Sequence, residues 1–302
     1  MLVLLTIMTA VSSCEKTVDV NIPAGVFTTE TVFNTNDAAQ AAMRGIYQSM
    51  TNILSSCPFE GLLTGTIGLG ADELIRANYS TEQQQFFDNN IFPDNSTVSN
   101  IWAAYYSYIY QANNLYEAVD RSAGLTTPQK DALMGEARFI RALSYFYLTN
   151  LYNKVPLVLT ADYPTNALLP VSEQKDIYNQ IITDLRFAQS KAGTGSTVAG
   201  SRYRGNKWAA TALLARVYLY QKDWANAETE ATTVIAQSSI YQLDALENVF
   251  LAVSKEAIWA LANPGTNLYC AEGTSVSGSS SSNGSCRMTP YLVGQFKRAT
   301  SA

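Results

Sequence analysis

The chain has 302 residues, of which 47% are apolar and 15% are charged, and its formal net charge is −5. This length can bury one large core or two smaller ones, and the acidic balance argues against a nucleic-acid groove, which needs a basic stripe. The sequence contains no histidine, which excludes Ser-His-Asp catalysis, histidine general bases and zinc sites with histidine ligands. The four cysteines are too scattered for a zinc pattern. We therefore predict neither a metal nor a cofactor.

The first residues are mostly apolar over positions 2–8 and are followed by Ser12, Ser13 and Cys14. The apolar run is too short to span a bilayer and ends in small residues, as an export signal does. Val11 to Cys14 resembles a bacterial lipobox, in which the cysteine becomes the acylated first residue. We predict a lipoprotein signal peptide over 1–13, a lipid anchor at Cys14 and an extended leader over 14–34. The alternative is an ordinary buried cysteine.

Helical spacing of apolar residues predicts a helix that starts at a cap on Thr35 or Asn36 and runs to about residue 54. Aromatic residues then occur in a Gly-, Asn- and Gln-rich stretch over 57–100, which we interpret as loops with some short helix. Apolar residues at steps of three and four predict a second helix over 101–121.

The stretch 134–152 is apolar nearly all round, which is typical of a helix buried among other helices. Thr127 and Pro128 are a cap and a first-turn proline and open this helix, and Pro156 ends it because the residue before a proline is excluded from the α region. Since buried charges are normally paired, we expect Glu136, Arg138 and Arg141 to form structural contacts.

Further along, Ser172 is a candidate cap for a helix over 177–188, and a tight turn at Lys222 and Asp223 joins a helix pair over 206–221 and 223–237. The large and small residues of this pair have tetratricopeptide spacing, and Ala142 and Tyr145 repeat part of it. The predicted fold class is mainly α: tetratricopeptide-like helical hairpins stacked as a scaffold, with long irregular loops.

Several motifs together resemble one known family. They are the lipobox at Cys14, Ile101-Trp-x-x-Tyr105 with Asn113, Glu136-Ala-Arg-Phe-x-Arg-Ala142 with Val155-Pro-Leu157, and Lys207-Trp-Ala-Ala210 with Tyr218. Their order and spacing are similar to the SusD/RagB family over about residues 14–300. The resemblance implies a SusD-like helical domain over 35–302, which we expect to be incomplete at its C-terminus because family members continue further.

The resemblance also implies a function. SusD/RagB proteins are outer-membrane lipoproteins of Bacteroidetes that bind glycans or other nutrients at the cell surface and close over a TonB-dependent (SusC-like) transporter. We therefore expect a nutrient-binding lipoprotein that is not an enzyme, anchored in the outer membrane by its N-terminal lipid and facing the cell exterior.

A glycan site needs exposed aromatic planes that stack on sugar rings and amide or charged side chains that bind the hydroxyls. Two loop-like segments, 72–95 and 263–291, meet this requirement. The candidate ligand-binding residues are Asp72, Arg76, Tyr79, Phe92, Asn95, Asn267, Tyr269 and Tyr291.

Two other functions stay open at this point. A glycoside hydrolase needs two carboxylates that face one cleft, for which Asp72, Glu73, Glu136 and Asp162 are candidates. A plain tetratricopeptide adaptor would bind a protein segment. A disulfide between Cys270 and Cys286 that leaves Cys57 free, or no disulfide among the three, are both compatible with the sequence.

Overall fold

The structure is a computed structural model that describes residues 33–51, 58–76, 79–195, 202–251, 253–262 and 286–290. Predictions that concern Cys14, Cys57, Cys270, Asn267, Tyr269 and Tyr291 lie outside the described residues, as do those for the side chain of Cys286. The described chain is mainly helical, with short strand pairs at two places. This confirms the predicted fold class.

The elements follow one another along the chain with mostly short connections. The helices are α1 (Asn36–Met50), α2 (Leu62–Gly70), α3 (Thr81–Phe87), α4 (Ser96–Arg121), α5 (Thr127–Tyr152), α6 (Tyr163–Asn166), α7 (Gln174–Lys191), α8 (Lys207–Tyr220) and α9 (Trp224–Ile235). The strands are β1 (Leu74–Arg76), β2 (Val155–Pro156), β3 (Val171–Ser172) and β4 (Cys286–Met288), and Pro58–Glu60 forms a 3₁₀ turn.

Helices α4 and α5 form an antiparallel hairpin whose two ends are tied by hydrogen bonds. Near the start of α4 and the end of α5, the Tyr152 hydroxyl donates to the Val98 carbonyl at 2.6 Å. At the opposite end, Lys130 Nζ donates to the Asp120 carbonyl at 2.8 Å. Helix α5 is buried along most of its length, as its nearly all-round apolar sequence predicts.

The remaining long helices add to this hairpin one after another. Gln174 Nε2 donates to the Thr149 carbonyl at 3.1 Å, and Lys191 bonds to Asp131 at 2.8 Å, so α7 runs antiparallel to α5. Helix α8 packs on α7, and α9 packs on α8. Each of these long helices thus packs on the long helix before it, which is the arrangement of a short helical solenoid.

The caps explain where these helices begin. Asn206 accepts from the backbone N–H groups of Trp208 and Ala209, and Asp223 accepts from the N–H of Asn226, as the predicted helix pair requires. Ser172 as a cap is wrong: it belongs to β3, where it pairs with Val155. The N-cap is Glu173, and helix α7 begins at Gln174, three residues before the predicted start at 177.

The three charged side chains of α5 that were expected to be buried, Glu136, Arg138 and Arg141, have charged partners, which confirms their predicted structural role. Arg141 donates to the two carboxylate oxygens of Asp184 on α7 at 2.6 and 2.8 Å and to Asn113 Oδ1 at 2.8 Å. Burial alone would lower the pKa of this guanidinium, but the hydrogen bonds and charge of Asp184 outweigh it and raise the pKa. Glu136 likewise accepts two hydrogen bonds from Arg204, at 2.5 and 2.6 Å.

The tetratricopeptide-like positions of the α8–α9 hairpin are buried to different degrees, and Ala215 and Ala231 are half-buried. Leu214, Tyr218 and Ala227 are buried, whereas Trp224 keeps 62% of its surface exposed. The small alanine lets the two helices approach closely, as predicted. Trp224 instead lies on the outer side of the hairpin, at the first position of α9.

Candidate functional site

A two-stranded ribbon joins the two segments that the sequence marks as ligand-binding. Strand β1 pairs with β4 in antiparallel register, with Leu74 opposite Met288 and Arg76 opposite Cys286. Beyond the ribbon, the backbone N–H of Thr289 donates to the Glu73 carbonyl at 2.9 Å. Residues 73–76 of the first predicted segment and 286–289 of the second therefore lie side by side.

Helix α3 follows this ribbon and begins with a capping box. The N–H of Gln83 donates to the Ser80 hydroxyl at 3.3 Å, and the N–H of Ser80 donates to the Gln83 side chain at 3.1 Å. This reciprocal arrangement satisfies two N–H groups that a helix start leaves without partners. It fixes a helix that carries amide side chains on neighbouring positions.

The ring of Tyr79 is held in place just before α3. Its hydroxyl accepts a hydrogen bond of 3.0 Å from the backbone N–H of Arg76, the last residue of β1. Its ring lies 5.1 Å from that of Phe87, and both rings pack against the small buried cluster of Leu69 and Leu74. Tyr79 is thus half-buried and has a defined position, which lowers the entropy cost of binding a ligand against it.

The opposite wall is formed by the chain that leaves α3. Asn89 adopts the left-handed region at φ 51°, which asparagine tolerates better than most residues, and its Nδ2 donates to the Gly70 carbonyl at 3.0 Å. The N–H of Phe92 then donates to Gln85 Oε1 at 3.0 Å. These bonds return the chain toward α3 and leave the Phe92 ring 50% exposed.

These elements enclose an open cleft of about 440 Å³, which we call the α3 cleft. The side chains that line it include Tyr79, Gln84, Gln85, Asp88, Asn90 and Phe92. The volume falls within the roughly 300–1,000 Å³ of small-ligand sites. Two aromatic rings, three amides and one carboxylate line it, which is the combination that a sugar ring with several hydroxyls requires.

The predicted site residues have different positions in this arrangement. Tyr79 and Phe92 line the α3 cleft together. Arg76 lies in β1 next to Tyr79, and Asp72 is exposed in the turn before β1 with a left-handed φ of 58°. Asn95 is only 2% exposed and caps α4.

The hydrogen bonds of Asn95 explain why its side chain is structural. Its Oδ1 accepts from the N–H groups of Thr97 and Val98, and its Nδ2 donates to the Glu82 carbonyl and to Gln85 Oε1. The cap also starts α4 at Ser96, five residues before the predicted start at residue 101. The amide and acid residues Gln84, Gln85, Asp88 and Asn90 were not predicted, although the run of three glutamines over 83–85 was a usable signal.

The four carboxylates weighed for hydrolysis lie in three separate environments. Asp72 and Glu73 are exposed beside the ribbon. Glu136 is buried in its ion pair with Arg204. Asp162 precedes the short helix α6 and accepts a hydrogen bond from the Thr165 hydroxyl.

Across the described ranges, no helix is long and apolar enough to cross a membrane. The same part of the chain contains no group of three or more cysteine, aspartate or glutamate side chains placed to hold a metal ion.

Comparisons with known proteins agree with this description. A SusD-like family model, described as starch-binding and associating with the outer membrane, matches residues 64–219. A SusD-like protein of Bacteroides ovatus is 25% identical over 253 residues, which are 82% of this chain and 44% of the relative. The chain spans about half the length of the relatives it matches.

Solved structures show the same fold. A SusD superfamily protein from Bacteroides thetaiotaomicron superposes with a TM-score of 0.70 at 21% identity, over 87% of this chain and 62% of that one. A laminarin-binding SusD-like protein superposes with a TM-score of 0.62 at 22% identity, over 73% of this chain and 50% of that one.

The stacked helical hairpins define a helical-repeat protein. Since the family model covers more than half of the sequence, this chain belongs to the SusD/RagB family.

Proposed function

We propose that this protein binds carbohydrate in the α3 cleft without cleaving it. The observation that carries the proposal is that the rings of Tyr79 and Phe92 line one cleft together with the side chains of Gln84, Gln85 and Asn90. In the described chain, the Asn90 side-chain amide has no hydrogen-bond partner, and neither has Gln85 Nε2. These groups are available for sugar hydroxyls, while the rings offer flat apolar surfaces.

The names of related proteins support carbohydrate as the ligand class. The matching family model is described as starch-binding, and one solved neighbour is titled laminarin-binding. Starch and laminarin are both glucans with different linkages. A linear glucan is accordingly the first probe to use.

Affinity electrophoresis in gels that contain starch or laminarin tests this proposal. We expect the wild-type chain to be retarded in at least one gel and Tyr79→Ala and Phe92→Ala to migrate faster. Tyr163→Ala is the matched control, because this tyrosine is 78% exposed and lies outside the α3 cleft. Equal retardation of all four proteins would contradict the proposed site.

The same incubation distinguishes binding from hydrolysis. We expect no increase in reducing ends when purified protein is held with either glucan, since Glu136 and Asp162 lie apart from each other and from the exposed neighbours Asp72 and Glu73. A release of reducing ends that scales with protein concentration would favour the hydrolase function instead.

We further propose that the protein works at the cell surface as a lipoprotein anchored through Cys14. This proposal rests on the lipobox at residues 11–14 and on the family's description as associating with the outer membrane. Cys14→Ala should remove incorporation of labelled palmitate and release the protein from the membrane fraction. Continued labelling of the variant would disprove the anchor.

The proposed partner is a TonB-dependent, SusC-like transporter, which would receive the carbohydrate. The support is family membership. Mild detergent extraction followed by affinity capture of the tagged full chain should co-purify the transporter. Capture of cytosolic proteins alone would favour the adaptor function.

A further inference from the structure

A second cleft lies at the other end of α4. It is about 780 Å³ in volume and is bounded by α4, the chain before α1 and the loop before α6. The side chains that matter are Asn34, Tyr110, Asn114, Glu117, Arg121 and Asp162. We call it the α4 cleft. Asn114 lies about 27 Å along the helix axis from Ser96, since each residue of an α-helix rises about 1.5 Å, so the two clefts are separate.

One wall of the α4 cleft is fixed by a close backbone approach. The Ser122 hydroxyl donates to the Phe33 carbonyl at 2.6 Å. Gly124 packs so tightly on the same segment that a Cβ there would lie 2.0 Å from the Asn34 carbonyl oxygen. The position of Asn34 beside α4 therefore depends on a glycine at 124.

The opposite wall is fixed by Glu117. Its Oε1 accepts a hydrogen bond of 2.9 Å from the backbone N–H of Ala161, and its Oε2 lies 3.6 Å from the Arg121 guanidinium. Asn113, four residues before Glu117 on the same helix, donates to the Val158 and Thr160 carbonyls at 3.2 and 3.1 Å. The loop before α6 is thereby held against α4.

Between these walls, several polar groups have no hydrogen-bond partner within the described chain. Tyr110 and Asn114 are four positions apart on α4 and so lie on one face. Tyr110 is 50% exposed, and among the described residues neither its hydroxyl nor the side-chain amides of Asn34 and Asn114 have a hydrogen-bond partner. An exposed ring flanked by two free amides is the arrangement that also lines the α3 cleft.

We propose that the α4 cleft is a second carbohydrate-binding site. A sugar ring stacks on Tyr110, and the amides of Asn34 and Asn114 bind its hydroxyls. Arg121 and Asp162 provide a donor and an acceptor at the rim. The ligand class follows from the chemistry of the cleft and rests on the carbohydrate-binding function proposed above. A protein with two such clefts would hold one long glycan at two points or two glycan chains at once, which raises avidity without any new contact.

Calorimetric titration of the full chain with maltoheptaose and with laminariheptaose tests this proposal. We expect two binding events with one of these glucans. Tyr79→Ala/Phe92→Ala should remove one event and keep the other. Adding Tyr110→Ala should then weaken the remaining event by up to roughly tenfold, the loss of one aromatic stacking contact.

Controls separate stacking from loss of structure. Tyr110→Phe keeps the ring and should keep most of the affinity, and Tyr163→Ala should change nothing. Unchanged circular dichroism melting would show that Tyr110→Ala folds normally, as expected for an exposed residue on a helix.

Each possible result leads to one conclusion. A single binding event that Tyr79→Ala/Phe92→Ala abolishes overturns the second site and leaves the proposed function intact. A single event that only Tyr110→Ala affects supports the α4 cleft and contradicts the α3 cleft. No binding of either heptasaccharide overturns both as glucan sites.

Discussion

The α5–α7 interface and the α3 cleft contain similar side chains, but these are used in opposite ways. At the interface, Arg141 donates to Asp184 of α7 and to Asn113 of the adjoining α4 at 2.6–2.8 Å, and all three residues are almost fully buried. In the cleft, Gln85 is only partly engaged, and Asn90 is exposed. Residue type alone does not separate scaffold from site. A candidate site is distinguished from the scaffold by hydrogen-bonding groups without partners beside an exposed aromatic ring.

The largest effect on stability is expected when the buried carboxylate is removed. Asp184→Ala leaves the Arg141 guanidinium buried without its partner, which we expect to lower the free energy of unfolding by about 3–5 kcal/mol. Asp88→Ala in the α3 cleft removes the same group from an exposed position and should cost no more than about 0.5 kcal/mol. Urea unfolding followed by circular dichroism measures both. Similar losses of unfolding free energy for the two variants would show that the buried and the exposed carboxylate contribute equally to stability.

The next test concerns the wall of the α4 cleft. Gly124→Ala places a methyl group against the Asn34 carbonyl, and the resulting displacement should cost about 1–3 kcal/mol. Gly45, within α1, is the matched control, because a Cβ there meets nothing within 4 Å. Gly45→Ala should stabilise the protein by up to about 1 kcal/mol because alanine favours the helix. A neutral Gly124→Ala would mean that the wall relaxes at no cost.

The smallest test compares two neighbours from the predicted ligand segment. Asn95→Ala removes the α4 cap and should cost about 1 kcal/mol of stability. Phe92→Ala should change stability by less than about 0.5 kcal/mol, since its ring is half exposed, and should act on carbohydrate binding instead. Thermal melts and affinity gels on both variants separate the effects. A stable Asn95→Ala variant that has lost glycan binding would restore Asn95 as a ligand residue.

Local signals made most of the helical frame predictable. The caps at Thr35, Asn206 and Asp223 mark helix starts through side-chain hydrogen bonds to the nearest N–H groups. Each of these helix starts is therefore specified by residues no more than three positions apart. Helix α5 ends at Tyr152, as predicted, but the chain leaves the helix at Asn153, whose φ is 65°, three residues before Pro156. The cap at Asn95 was not predicted, because an asparagine in a loop-like stretch serves equally well as a cap and as a ligand residue.

The sites were less predictable because they depend on contacts between distant residues. The β1–β4 pair joins Arg76 to the position of Cys286, and no pattern near either strand indicates the other. Tyr110 lies on a helix whose spacing predicts a core element, and only the packing of Phe33 and Ser122 leaves an open cleft beside it.

The β1–β4 ribbon has a consequence for the order of folding. Its strands are separated by about 210 residues. Pairing them requires a very large loop to close, and the entropic cost of this closure delays the first backbone hydrogen bond between the strands. The α4–α5 hairpin, by contrast, closes over a five-residue connection. We expect the ribbon beside the α3 cleft to form last, and pulsed hydrogen exchange during refolding should show amides of 74–76 gaining protection after those of 127–152.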